Sequence, residues 1–269
     1  MAPSGGIGDV LRDLDEVVAR AREERSRVGY FAVVYRKTTA KVAEGLDSGF
    51  FDDPARMERF DITFARRYLQ AVDDRRHGRA EMKSWQAGFD AAGQVRPIIL
   101  QHVLAGMNAH INLDLGIAAA ETAPGADLPG LRRDFDRVNE ILGLLVSDMA
   151  RDLGAASPWI WLLDRIGGRH DDEIVRFSIE VARTQAWRFA VELAPLAPEH
   201  WAGPIAAMDA RTARVARAIL NPGLLSLGLA VIRARESNDV RSVIDILNRV
   251  EAPDLATVER RVRSTRPSS

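Results

Sequence analysis

Along most of this chain apolar residues recur every three or four positions, the spacing that gathers them on one face of a helix. Ile7, Val10, Leu11, Leu14, Val17 and Val18 open the series within residues 7–26. The stretch Gly29–Ala43 contains YFAVVY, which has strand composition. A single strand has nothing to pair with, so the stretch reads as helix. Asp52-Asp53-Pro54 is a helix start, with an acidic N-cap and proline in the first turn, and the helix runs to about Arg76. Its inner face carries Met57, Phe60, Phe64, Tyr68 and Val72, and among them a carboxylate, Asp61. Further helices are predicted over 80–91, with Trp85 and Phe89, and over 131–153, 171–194, 204–219, 223–235 and 238–249. Breaks fall at Gly49, Gly167-Gly168, the loop PLAPEHWAGP and Asn221-Pro222-Gly223. Ser157-Pro158 reads as the start of a short helix holding Trp159 and Trp161. The pattern predicts an all-α fold with no repeat and no heptad run.

One predicted helix departs from simple amphipathicity. Residues 97–122 begin at Pro97, a residue suited to a first helical position, and end before Pro124-Gly125. Within this run His102, Gly106, His110, Asp114, Ile117 and Glu121 fall on one face at about 100° per residue. Gln101, Asn108 and Asn112 make a second stripe, and apolar residues fill the remainder. No face is left for solvent. The run is therefore a buried central helix whose polar groups need partners.

Bulk properties narrow the classes without naming a function. With 269 residues, 46% of them hydrophobic, the chain can bury a sizeable core, read as one domain over 1–255 followed by a flexible basic tail over 256–269. A formal charge of −1 gives no electrostatic reason to expect nucleic acid. The absence of cysteine removes disulfides, thiolate metal sites and cysteine nucleophiles. The first residues lack the basic and apolar segments of a secretory leader, and the apolar stretch near Leu220–Ile232 is interrupted by Pro222. The expectation is a cytoplasmic protein without a membrane span.

Three segments carry a family resemblance: FFDDPARMERFDITFARRYL at 50–69, SWQAGF at 84–89 and HVLAGMNAHINLDL at 102–115. Arg183, Ala186 and Trp187 extend the pattern. Together they resemble an uncharacterised bacterial family known only as a domain of unknown function. The resemblance implies a helical fold and brings no activity, so the chemistry has to be read from the residues.

His110 and Asp114 are four residues apart, one turn, and their side chains can meet one ion. The leading expectation is an enzyme acting on a small, largely apolar molecule with the help of zinc, iron or manganese. His110 and Asp114 would hold the metal and Asp61 would complete its shell. His102 lies roughly 12 Å down the axis, at about 1.5 Å per residue, too far to be a ligand. It would act as acid or base across the space at Gly106. Asn108, Asn112, Arg183 and Trp187 are the candidate substrate contacts. Hydrolysis, elimination or cyclisation, and oxidation all fit. Two other readings stay open: metal-free acid–base catalysis, and a buried hydrogen-bond network that only packs helices. A non-catalytic carrier of a lipophilic ligand is the alternative from a different class. Asp52-Asp53 and Asp171-Asp172-Glu173 are better explained as helix N-caps than as diphosphate-binding motifs.

Overall fold

A computed structural model describes residues 5–157 and 179–249, the side chains of 143–153 excepted. The short helix with Trp159 and Trp161, the Gly167-Gly168 turn, the Asp171–Glu173 cap and the tail over 256–269 lie outside the described residues. The described residues form helices joined by short turns, with no strand among them. In chain order they are α1 (Ile7–Glu23), α2 (Val28–Asp47), α3 (Pro54–Arg76), α4 (Lys83–Ala92) and α5 (Ile99–Ala109). A π-turn (His110–Asp114) leads directly into α6 (Leu115–Thr122). There follow α7 (Leu128–Ala156), α8 (Ile179–Leu193), α9 (Ala202–Leu220), α10 (Ser226–Arg233) and α11 (Val240–Arg249).

The YFAVVY segment is helical. Tyr30, Phe31, Ala32, Val33, Val34 and Tyr35 are all buried, because α2 has neighbours on every side: α1, α3, α5, α7 and α11. A helix enclosed in this way has no polar face to show, so its composition carries no helical period. The other central helix, α5 with α6, is enclosed by α2, α3, α4, α8 and α9. It begins at Ile99 rather than at Pro97, since Gln101 Oε1 accepts the Ile98 N–H at 2.9 Å and Glu236 accepts the Ile99 N–H at 3.0 Å.

That last contact is one of three in which a buried acid from a distant part of the chain serves a helix start. Asp209 of α9 accepts the N–H groups of Lys83 and Ser84, both at 2.9 Å, at the head of α4. Asp134 of α7 accepts those of Asp52 and Asp53, at 2.7 and 3.0 Å, just before α3. Anions at helix N-termini are stabilised by the unpaired N–H groups and the helix dipole. They pin the ends of α3, α4 and α5, which carry the site described below. Asp53 is also the N-cap of α3, accepting the Arg56 N–H, and Asp52 pairs with Arg133 and Arg137.

The stretch Ala202–Arg233 is long and apolar enough by composition to cross a membrane. In the fold it is two helices, α9 and α10, broken at Asn221 and Pro222, and α9 packs against α4 and α5.

Candidate functional site

The central helix changes pitch at its most polar point. Between His110 and Asp114 the chain makes a π-turn, and the Leu115 N–H bonds to the His110 carbonyl five residues back. Such a bulge inserts about one extra residue and turns everything after it by roughly 100° relative to a straight helix. The single face expected from His102 to Glu121 is therefore split. His102 and Gly106 look toward α2, His110 stands among rings from α2, α3 and α4, and Asp114 and Glu121 look toward Arg67 of α3.

His110 is the centre of an aromatic box. Phe64 lies flat on its ring, centroids 3.6 Å apart and planes 8° from parallel. Tyr35 meets it edge-on at 4.3 Å, and Phe31, Tyr68 and Trp85 stand about 6 Å away. Its Nδ1 faces Asp114 Oδ2 at 3.3 Å. Because an ionised carboxylate can only accept, the proton is assigned to Nδ1, leaving Nε2 as an acceptor. Nε2 is buried and has no partner among the described residues. Burial holds the imidazole pKa below its ordinary value, against the opposing pull of Asp114, so the ring is neutral near pH 7.

Asp114 is held from three sides. Besides His110 it receives Arg67 Nε on Oδ1 at 3.2 Å and Trp85 Nε1 on Oδ2 at 3.0 Å. Arg67 also reaches Glu121 at 3.4 Å. Neither Arg67 nor Trp85 stood out in the sequence as a site residue. Arg67 sits one turn beyond Phe64 on α3, and that spacing was the available signal.

Two spaces flank this pair. His110 lines an inner cavity of about 60 Å³, together with Asp61, Tyr35, Phe64 and Arg183. Asp114, Trp85 and Arg67 line an open outer cleft of about 840 Å³ between α3, α4 and α6. The hydrogen-bonded pair thus stands between a small, mainly apolar chamber and a larger, more open groove.

Asp61 belongs to the inner chamber, as its place among the apolar residues of α3 predicted. It is 5% exposed, and its Oδ2 has no partner among the described residues. Burial pushes its pKa up to about 7. Arg183 is equally buried and lines the same chamber.

The remaining candidates sit elsewhere. His102 is buried edge-on to Tyr30, with centroids 5.9 Å apart. Burial, then the fields of Arg27 and Arg233, lower its pKa to about 3. The space expected beside Gly106 is occupied: a Cβ there would come within 2.5 Å of the Phe31 ring. Phe31 therefore separates His102 from His110. Asn108 and Asn112 turn away from the cavity. Asn112 donates to Asn108 at 3.0 Å, and Asn108 donates to the Thr212 carbonyl at 2.9 Å. Gln101 likewise donates to the Ile219 carbonyl, so the second polar stripe fastens the central helix to α9. Trp187 lies outside the chamber, packed on Phe135 and beneath the Arg132 guanidinium. Among the described residues no three His, Asp or Glu side chains converge as a metal-binding group. The Asp114 oxygens are already turned to Arg67, Trp85 and His110.

The chain belongs to a family of unknown function (DUF5995), whose profile matches residues 7–222. No curated protein and no solved structure matches it.

Proposed function

We propose that the inner chamber binds a small, largely apolar molecule and that His110 acts on it as an acid–base group oriented by Asp114. One observation carries the reading. His110 Nε2 and Asp61 Oδ2, an acceptor and a carboxyl oxygen, are both buried and unpartnered among the described residues, and both residues line one apolar cavity. Each such atom costs roughly 1–3 kcal/mol, a cost that selection for stability alone would remove.

The two groups have complementary states near neutral pH. The neutral His110 ring offers an Nε2 lone pair, and Asp114 stabilises the imidazolium formed when a proton is taken up. Asp61, with its pKa near 7, retains a proton to give. An acceptor and a donor in one water-poor chamber support proton-transfer chemistry: elimination, isomerisation or hydrolysis of a small substrate. Asp114, itself held by Arg67 and Trp85, balances the charge formed on His110 when the ring takes up a proton. The apolar walls also favour a second reading, a carrier that binds without reaction.

The test is a panel of short esters, hydroxy acids and unsaturated acids, followed for both binding and turnover. At least one class should turn over, and His110→Gln should slow it by about a hundredfold or more. Binding without turnover in the wild type would favour the carrier. Turnover abolished by a chelator and restored by zinc, iron or manganese would favour a metal-assisted form with Nε2 as a ligand. Turnover indifferent to His110→Gln would sink the proposal.

A further inference from the structure

Arg183 stands on the chamber wall with no carboxylate paired to it among the described residues. It is 3% exposed. Its Nη2 donates to the Phe135 carbonyl, and the guanidinium lies over the Phe135 ring at 4.4 Å. Its Nε–H has no acceptor among the described residues. Asp136, the acid whose field reaches it, is bonded to Arg132 at 2.6 Å. A guanidinium taken out of water with neither a counter-ion nor a full set of acceptors is strongly disfavoured. Consistently, burial lowers its pKa to about 9. Among the described residues no anion answers it.

We propose that the chamber takes a short-chain monocarboxylate, its carboxylate received by Arg183 and its hydrocarbon part lying among the apolar walls near His110. This rests on the reading that the chamber is the ligand site. The planar fork of arginine matches a carboxylate better than any other single side chain does, and the Nε–H has no acceptor among the described residues. Size sets the chain length. A cavity of about 60 Å³ suits a ligand of only a few non-hydrogen atoms, such as propionate or butyrate. A phosphate fits less well. Its extra oxygens would lie against Val34, Met57, Phe60 and Leu115, with one cation to meet two charges.

The experiment compares butyrate, its neutral isostere butyramide, and inorganic phosphate on the wild-type protein, by calorimetry and by the Arg183 Nε–H and His110 ring resonances. Butyrate should bind at least tenfold tighter than butyramide and shift the Nε–H signal. Arg183→Gln should remove that difference, and Arg183→Lys should restore part of it. Equal binding of acid and amide, or tighter binding of phosphate, would overturn the carboxylate proposal while leaving the chamber as the ligand site. If neither compound binds or moves either resonance, both readings fail. Should Arg183→Gln not fold, the acid–amide comparison on the wild type decides alone.

Discussion

The Phe64 ring covers the His110 imidazole face to face at 3.6 Å, and three residues further along α3 Arg67 grips the carboxylate that orients the same imidazole. One helix therefore controls both the dielectric around His110 and the charge of its partner. Phe64 excludes water from the ring, which lowers its proton affinity. Asp114 raises that affinity, and Arg67 moderates Asp114. The proton affinity of His110 is set by these opposing terms rather than by any one contact.

Arg67→Met should therefore raise the His110 pKa, because it removes a positive charge that lowers it. The variant should also lose roughly 1–3 kcal/mol, since Asp114 keeps only two of its three donors. Titration of the His110 ring by NMR reads the first effect and denaturant unfolding the second. An unchanged titration would mean that the Arg67–Asp114 contact does not reach the ring.

Asp61→Asn should stabilise the protein at high pH and leave it unchanged at low pH. The folded-state pKa of Asp61, about 7, lies above its ordinary value of 3.8, so between these values the folded chain holds a proton that the unfolded chain has released. Stability then falls as pH rises from about 4 to about 7, by up to about 4 kcal/mol at 1.36 kcal/mol per unit. Asparagine carries no such charge. Melting temperatures of the two proteins should converge near pH 4 and separate by pH 8, with the variant higher. A variant less stable at pH 8 would show that Asp61 has a buried partner after all.

Gly106→Ala and Gly116→Ala test how closely the central helix is approached. At Gly106 the new methyl would meet the Phe31 ring at 2.5 Å, and at Gly116 the Ala186 carbonyl oxygen at 2.6 Å. Both should destabilise by about 1–3 kcal/mol in spite of the higher helix propensity of alanine. Gly116→Ala should cost more, because a backbone carbonyl on α8 yields less readily than a phenyl ring. Melting curves that rise for either variant would contradict these contacts.

What the sequence determined by itself was local. Period, caps and breaks specify helices, so α1, α3, α4, α7 and α9 were legible within a few residues, and so was the burial of the central run. Asp61 was legible as a buried residue for the same reason: a carboxylate on an apolar stripe must point inward. Tertiary structure decided everything that depends on a neighbour. The π-turn at His110–Asp114 has no sequence period of its own; its one-residue slip divides a face that a straight helix would keep whole. The Gly106 gap could not be known to be filled until Phe31 of α2 was placed against it. The asparagines became a fastening to α9, and Arg67 and Trp85 became partners of Asp114, because a polar side chain takes its role from the group that answers it. Those groups lie on other helices, brought near by packing of apolar faces that carry no record in the sequence of which helix meets which.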